Sequence, residues 1–219
     1  MASATRSARA GQSSQSMQGD LFGTPPAGAA GPAVMQDIIT VDEEHELLAA
    51  LHTVELQRFR FQQWEGNRLT RTFGWKYDFG AGTFEPAEAI PDFLLPLRER
   101  AAAFAGIDAS LLVQVLVTLY EPGAGIGWHR DRPEFEDVVG ISLGAVATMR
   151  FRRRLADRKF ERLGVVMTPR SAYHLAGEIR HEWEHSIAPM TEKRWSVTFR
   201  RLSARGLARE RAVTSSAPA

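Results

Sequence analysis

Two histidine-containing motifs are the residues best suited to chemistry in this sequence. His129-Arg-Asp131 places an imidazole and a carboxylate two positions apart, and His181-Glu-Trp-Glu-His185 places two imidazoles four positions apart. Imidazole and carboxylate groups bind divalent metal ions through nitrogen and oxygen. The 219 residues include no cysteine, which excludes disulfides, thiolate nucleophiles and thiolate-bound metal centres. Any metal ion must therefore be held by nitrogen and oxygen ligands.

The second motif matches the H-E-x-x-H signature of zinc proteases, which works only on a helix, where positions four apart share a face. Pro189 follows the motif closely, and alternation instead predicts a strand over 179–187 with His181, Trp183 and His185 on one face. A zinc protease also needs a third ligand downstream, and no histidine follows His185. The protease interpretation is therefore disfavoured.

The first motif suits a different metal centre. On an extended chain His129 and Asp131 point the same way, so the two side chains can bind one ion together. A histidine from a distant strand would complete the two-histidine, one-carboxylate set of non-haem Fe(II) oxygenases, and His185 is the candidate. For H-x-D alone, a hydrogen-bonded surface pair is the alternative.

A strand over 194–200 adds a second feature. Its alternation places Arg194, Ser196, Thr198 and Arg200 on one face, and Trp195, Val197 and Phe199 on the other. The apolar face predicts burial. Beside a metal site, the two arginines can bind a dicarboxylate, because guanidinium matches carboxylate in bidentate geometry. The pattern therefore indicates a dicarboxylate co-substrate.

The elements that position these residues are mostly short strands. A capping box at Thr40-Val-Asp-Glu43 predicts a first helix of roughly ten residues, and an apolar stripe over 91–105 predicts a second. Between them, residues 58–80 predict hairpins. Strand-like runs then follow over 111–120, 138–143, 147–152, 164–168, 172–175, 179–187 and 195–202. This order predicts an α+β, mainly β fold, an antiparallel sandwich or jelly roll backed by helices.

Composition divides the chain into three segments. We predict a disordered tail over 1–34, one domain over 35–202, and a flexible tail over 203–219. The most apolar run, over 111–120, is far shorter than the roughly 20 residues that a bilayer requires. With a net charge of only +1, any nucleic-acid surface must be a local patch. We expect a cytoplasmic monomer without membrane association.

Five motifs, in this order, resemble the AlkB family of Fe(II)/2-oxoglutarate-dependent dioxygenases. They are Leu-Tyr120-Glu-Pro-Gly, Trp-His129-Arg-Asp131, Ile-Ser142-Leu-Gly144, Trp-Glu-His185-Ser-Ile and Arg194-Trp-Ser-Val-Thr-Phe-Arg200. The resemblance covers roughly residues 35–202. It implies a double-stranded β-helix (jelly roll) with N-terminal helices packed on one face, and the use of Fe(II), 2-oxoglutarate and dioxygen. The implied reaction oxidises a substrate C–H bond and yields succinate and carbon dioxide, with an N-methyl group lost as formaldehyde.

The resemblance also implies roles for seven residues. The iron ligands would be His129, Asp131 and His185. The co-substrate would contact Arg194 at its distal carboxylate, Arg200 beside its metal-chelating end, Tyr120 and Thr118. Thr118 is a departure from the pattern, because the family often has asparagine there and a single hydroxyl replaces the amide.

The predicted hairpins interleave cations with aromatic residues, a mixture that can neutralise phosphates and stack an unpaired base. In the resembled family this region forms a nucleotide lid. We expect Trp75, or else Tyr77, to face His129 across a flipped base, with Arg71 also contacting the substrate and Glu134 reading the alkylated base. The alternative is that both aromatic residues are hairpin core.

The predicted function is oxidative demethylation of alkylated bases in DNA or RNA, as in repair of alkylation damage. A family member acting on protein side chains is the alternative, and a non-enzymatic nucleic-acid-binding module is the third hypothesis. A second basic cluster is either a contact for another strand or a solvated face: Arg150, Arg152, Arg153, Arg154, Arg158, Lys159 and Arg162.

One short motif lies in the N-terminal tail. Gln18-Gly-Asp-Leu-Phe22 resembles the Q-x-x-L-F peptides that tether replication and repair enzymes to bacterial sliding clamps. A tether raises effective concentration on DNA without new contacts at the active site. The sequence therefore predicts a sliding-clamp partner, with a tail that has no function as the alternative.

Overall fold

The computed structural model describes residues 31–61, 64–78 and 82–216. The clamp-like motif Gln18–Phe22 and most of the predicted N-terminal tail lie outside these residues. The described helices are α1 (Val41–His52), α2 (Leu95–Ala105), α3 (Gly177–His181) and α4 (Ala204–Ser216). The described strands are β1 (Ala33–Met35), β2 (Gln57–Phe61), β3 (Trp64–Phe73), β4 (Trp75–Tyr77), β5 (Phe84–Pro86), β6 (Leu112–Tyr120), β7 (Ile126–His129), β8 (Phe135–Gly144), β9 (Ala147–Arg154), β10 (Phe160–Met167), β11 (Ala172–Leu175), β12 (Glu184–Ile187) and β13 (Arg194–Leu202).

These strands form three antiparallel sheets. A large sheet has the order β1-β11-β8-β13-β6-β3-β2, a smaller one the order β10-β9-β12-β7, and β4 pairs with β5 in a hairpin. Apart from the consecutive pairs β2–β3 and β9–β10, neighbours in both larger sheets are not consecutive in sequence, because chain connections repeatedly pass between the sheets. The mainly β, antiparallel prediction is confirmed.

The large sheet divides its side chains between two cores. In β13, the predicted apolar residues Trp195, Val197 and Phe199 join one core together with residues of α1 and α2, such as Leu51 and Leu97. The other face of the sheet turns toward the smaller sheet, and the second core contains residues of both. Its members include Tyr120, Val138, Met149, Phe151, Tyr173 and Trp183. The alternation read from the sequence thus fixes which side chains face the space between the sheets.

Helix α1 begins at the predicted capping box. The Thr40 hydroxyl accepts a hydrogen bond from the Glu43 N–H at 3.2 Å, and the Glu43 carboxylate accepts one from the Thr40 N–H at 2.8 Å. Helix α2 ends at Gly106, whose φ of 69° is the left-handed conformation that glycine adopts at low cost. Both helices lie close to their predicted positions.

Two segments differ from the predictions. Residues 204–216 form α4 instead of a flexible tail, and Gly206 is so close to the Glu134 carbonyl that an added Cβ would lie 2.2 Å from its oxygen. The predicted strand over 179–187 begins as α3, and only Glu184–Ile187 is extended. Tertiary contacts decide both cases, since local patterns do not include them. No helix in the described ranges is long and apolar enough to cross a membrane.

Candidate metal and co-substrate site

A cavity of about 1750 Å³ lies between the two larger sheets. Its walls come from β3, β6 and β13 on one side, from β7 and β12 on the other, and from the β4–β5 hairpin at the edge. Seven arginine or lysine side chains line it, against three acidic ones. This cleft is therefore far more cationic than the chain as a whole, whose net charge is +1.

The cleft brings the three predicted metal ligands together. Strand pairing of β12 with β7 puts His185 opposite His129, and their ring centroids are 4.2 Å apart. Asp131 follows β7 in a loop, and its Oδ2 lies 3.6 Å from Nε2 of His185. Two imidazoles and one carboxylate, from positions 129, 185 and 131, thus meet at the inner face of the smaller sheet.

His129 is oriented by its own strand. Its Nδ1 lies 2.9 Å from the carbonyl oxygen of Gly127. Because a carbonyl only accepts, this nitrogen carries the proton and Nε2 keeps its lone pair. Burial lowers the pKa of the His129 imidazole, so the ring is neutral near pH 7. A neutral imidazole with a free nitrogen is the form that binds a metal ion.

His185 and Asp131 are held in the matching charge states. Burial, followed by the neighbouring His129, lowers the pKa of His185 to about 3, so its ring is neutral. Burial opposes ionisation of Asp131, but the groups around it, Arg200 first among them, together outweigh burial and hold the pKa of Asp131 below its usual range. The cluster therefore presents one negative and two neutral donors.

The chemistry of this donor set fits a divalent iron ion. Nitrogen from two imidazoles and oxygen from one carboxylate, with the cleft open on the other side, is the set used by non-haem iron oxygenases. Within the described ranges, no three histidine or acidic side chains are already placed with the geometry of a bound ion.

Arg194 fits a carboxylate ligand. Its side chain is fully buried, and its Nε donates to the Ser142 hydroxyl at 3.0 Å. Its two terminal nitrogens, Nη1 and Nη2, have no hydrogen-bond partner among the described atoms. Burying two unsatisfied donors of a charged group is costly unless a ligand satisfies them. Both atoms of the guanidinium fork are thus available for the distal carboxylate of a dicarboxylate.

Two tyrosines complete this pocket, and the sequence indicated only one of them. Tyr120 is buried, with the Arg194 guanidinium 5.2 Å from the centroid of its ring. Tyr173 from β11 lies in the same core and lines the cleft. The Tyr173 ring occupies the space over Gly140, where an added Cβ would come within 2.2 Å of it. In the sequence, Gly140 within a strand run indicates the close approach of another group, but it does not identify Tyr173.

The other two predicted co-substrate residues, Thr118 and Arg200, line the cleft. Thr118 on β6 lies opposite Ser196 on β13, and both line the cavity. Arg200 lines it as well, with Nε and Nη2 donating to Oδ1 of Asp131 at 3.0 and 2.8 Å. Arg68, one of the cations interleaved with aromatic residues in the predicted hairpins, is a further buried residue that lines the cleft.

The four predicted substrate residues are placed very differently. Tyr77 and Arg71 line the cleft, and Arg71 forms an ion pair with Glu88. Trp75 instead stacks on Phe84 in the small core of the hairpin, with ring centroids 5.0 Å apart, and does not line the cleft. Trp75 therefore fits the alternative stated above, that it is a core residue of the hairpin.

Glu134 requires a correction. Its side chain is 0% exposed and does not line the cleft. It forms ion pairs with Arg132, Arg205 and Arg209, because α4 closes over the loop that follows Asp131. A carboxylate enclosed in this way cannot read a substrate base.

The two remaining sequence motifs are the H-E-x-x-H segment and the second basic cluster. Helix α3 ends at His181, so His181 and His185 share no helix face, which excludes the zinc-protease arrangement. In the second basic cluster, Arg152 pairs with Glu184, and Arg153 contacts Glu161 and two further glutamates. Part of this cluster's charge is thereby neutralised.

Comparison with known proteins agrees with this geometry. Residues 34–208 match the 2OG-Fe(II) oxygenase superfamily. An "Alkylated DNA repair protein ALKBH8 homolog" of Arabidopsis thaliana is 30% identical over 183 residues, covering 72% of this chain and 50% of that protein. The "tRNA (carboxymethyluridine(34)-5-O)-methyltransferase ALKBH8" of Mus musculus is 27% identical over 166 residues, covering 73% and 24%. The chain thus spans half or less of these relatives' length.

A solved structure supports the fold. The structure of OsALKBH1 superposes with a TM-score of 0.59 at 15% identity, covering 78% of this chain and 96% of that one. This chain belongs to the 2OG-Fe(II) oxygenase superfamily. Within that superfamily it is AlkB-like, a 2-oxoglutarate-dependent dioxygenase that uses Fe(II), 2-oxoglutarate and dioxygen. The resemblance, the enzyme class and the cofactors predicted from the sequence are confirmed.

Proposed function

We propose that His129, Asp131 and His185 hold the iron, and that Arg194 binds the distal carboxylate of 2-oxoglutarate. The observation that carries the proposal is the proximity of two features: a two-histidine, one-carboxylate cluster that lines the cleft, and, against the cleft-lining Tyr120, a buried guanidinium whose Nη1 and Nη2 have no hydrogen-bond partner among the described atoms. Either feature alone has structural explanations. Together they match the two halves of one chelating dicarboxylate.

The bound iron supplies oxidation of a substrate C–H bond by dioxygen, coupled to conversion of 2-oxoglutarate to succinate and carbon dioxide. The chain's own residues bind the metal ion and the co-substrate and orient them. His129 and His185 supply neutral nitrogen ligands, and Arg200 orients the Asp131 carboxylate by hydrogen bonding. Arg194 binds the distal carboxylate of the co-substrate. The site needs no general base, and its geometry contributes chiefly by placing the reactants.

For the substrate, we propose an alkylated nucleobase in DNA or RNA, which loses its N-alkyl group as formaldehyde when that group is methyl. The cleft exceeds the roughly 300–1,000 Å³ of ordinary small-molecule sites, leaving room beyond 2-oxoglutarate for a base. Its excess of cations suits a phosphate backbone. The names of the ALKBH8 relatives refer to alkylated DNA and to tRNA, which supports the same class of substrate.

The test is a comparison of matched substrates. Purified protein with Fe(II) and 2-oxoglutarate is incubated separately with N-methylated single-stranded DNA, with RNA of the same sequence and methylation, and with peptides that contain methylated lysine. The formaldehyde released is then measured. We expect release from at least one oligonucleotide, and none from the His129→Ala variant. His181→Ala, on the exposed side of α3, should retain most activity. Release from peptides alone would overturn the nucleic-acid proposal in favour of protein side chains.

A further inference from the structure

The short loop between β7 and β8 carries Asp131 and is held from outside the cleft. Arg180, which is buried, donates from Nη2 to the carbonyl of Arg132 at 2.6 Å and to the carbonyl of Phe135 at 2.7 Å. One guanidinium nitrogen of α3 therefore ties together both ends of the segment that follows Asp131.

Helix α4 holds the middle of the same loop. The Ser203 hydroxyl donates to the carbonyl of Pro133 at 2.6 Å, and the Ser203 N–H donates to the carbonyl of Glu134 at 2.9 Å. Gly206 permits this approach, since any Cβ there would clash with the Glu134 carbonyl. Four consecutive carbonyls, from 132 to 135, are thus bonded to α3 or to the start of α4.

The Glu134 side chain fastens α4 to the loop by charge. Its carboxylate lies 3.2 Å from Arg132 Nε, 3.3 Å from Arg205 Nε and 3.6 Å from Arg209 Nη1. The carboxylate is fully buried, whereas Arg205 and Arg209 are 57% and 34% exposed. Loss of its cations would leave a buried charge uncompensated, which is strongly unfavourable.

The same cluster reaches the wall of the cleft. The Arg132 guanidinium lies 3.4 Å from the centroid of the Tyr77 ring, and that of Arg209 lies 5.9 Å from it. Tyr77 belongs to the hairpin that closes one edge of the cleft. The residue directly after Asp131 is therefore packed between Glu134 and the hairpin.

We propose that Glu134 is a positioning residue for the metal centre, and that Arg205 and Arg209 of α4 act with it to fix the Asp131 loop. The inference rests on the proposed function, since it takes Asp131 as a ligand. Helix α4, which contributes no residue to the lining of the cleft, thereby sets the affinity for the metal ion. Supporting residues of this kind change metal affinity by about 10- to 100-fold when they are replaced.

The experiment measures Mn(II) binding to the full chain by calorimetry in the absence of turnover. The variants are Glu134→Gln and the double variant Arg205→Ala/Arg209→Ala, each with a melting temperature recorded. We expect Mn(II) binding to weaken by about tenfold or more in both. Arg205→Lys/Arg209→Lys should recover much of the loss, because the charges facing Glu134 remain.

Arg100→Ala is the matched control. This substitution breaks a different arginine–glutamate pair, that of Arg100 on α2 with Glu43 on α1. Neither of these residues lines the cleft. Mn(II) affinity should stay at the wild-type value in this variant even if its melting temperature falls.

The outcomes separate the two proposals. Wild-type Mn(II) affinity in Asp131→Ala would remove the proposed metal centre itself. Loss of binding in Asp131→Ala, together with wild-type affinity in Arg205→Ala/Arg209→Ala, would leave that centre standing and overturn the role of α4. If Glu134→Gln fails to fold, the helix variant decides, because its side chains are partly exposed.

Discussion

Arg200 donates two hydrogen bonds to a single oxygen of Asp131, from Nε at 3.0 Å and from Nη2 at 2.8 Å to Oδ1. The other oxygen, Oδ2, faces Nε2 of His185 at 3.6 Å. Arg200 is itself held by Gln114, whose side-chain oxygen accepts from Nη1 at 2.9 Å. The orientation of the carboxylate thus depends on residues of β6 and β13, the strands that also form the co-substrate wall.

Replacing Arg200 with lysine should weaken metal binding by about tenfold, because the charge remains but the two-donor geometry does not. Gln114→Ala should act in the same direction with a smaller effect. Mn(II) titration of the three proteins checks this order. Unchanged affinity in Arg200→Lys would mean that Asp131 needs no such support.

Replacing Arg194 with lysine should raise the KM for 2-oxoglutarate by roughly tenfold or more, since a hydrogen bond to a charged group contributes about 1.5–3 kcal/mol. Mn(II) binding should be retained. Ser142→Ala, which removes only the acceptor for Arg194 Nε, should give a smaller increase. Wild-type co-substrate kinetics in Arg194→Lys would show that another cation binds the distal carboxylate.

Gly140→Ala should destabilise the protein by about 1–3 kcal/mol, as overpacking of a filled core does. The new methyl group would displace the Tyr173 ring, so the affinity for 2-oxoglutarate should fall too. The same substitution made in a Tyr173→Ala background should cost little. Denaturant unfolding of the four proteins of this double-mutant cycle measures the coupling, and a coupling near zero would contradict the contact.

Trp75→Ala should lower the melting temperature and reduce oligonucleotide turnover and uncoupled 2-oxoglutarate decay in equal proportion. The reason is that Trp75 packs on Phe84 and not in the cleft. A selective loss of oligonucleotide turnover would instead restore its predicted stacking role, which is worth about 1–3 kcal/mol per base.

The features that were predictable from sequence are those set by local periodicity. Alternation over 194–200 assigned both faces of β13, and the capping box located α1. The pairing of His185 with His129 was reached only by matching motifs to a metal-ligand set, since nothing local links residues so far apart.

The failures have a common cause in tertiary contact. Glu134 resembles an exposed acid in sequence, and only the folded α4 buries it among arginines. The Ala- and Arg-rich segment 204–216 has good helix formers but no apolar stripe of its own, so the sequence favoured a tail. Trp75 and Tyr77 are two positions apart on β4. The Trp75 ring nevertheless stacks on Phe84 of β5, whereas Tyr77 lines the cleft.

The last prediction concerns how stability depends on pH through Glu43, at the start of α1. Hydrogen bonding from Arg100, together with the Thr40 N–H, lowers the pKa of Glu43 from 4.5 to about 2. Between these values the unfolded chain takes up a proton that the folded protein does not, so stability decreases as the pH falls from about 4.5 to about 2. Above pH 4.5 the contribution is complete.

The metal-free protein and its Glu43→Gln variant should therefore differ most in melting temperature above pH 4.5 and converge as the pH approaches 2. Thermal unfolding at pH 6, 4.5, 3.5 and 2.5 measures this difference. Glu46→Gln, an exposed acid on the same helix, serves as the control and should give a much smaller difference at pH 6. A Glu43→Gln difference that stays constant over the whole range would show that its origin is packing and not the charge of the carboxylate.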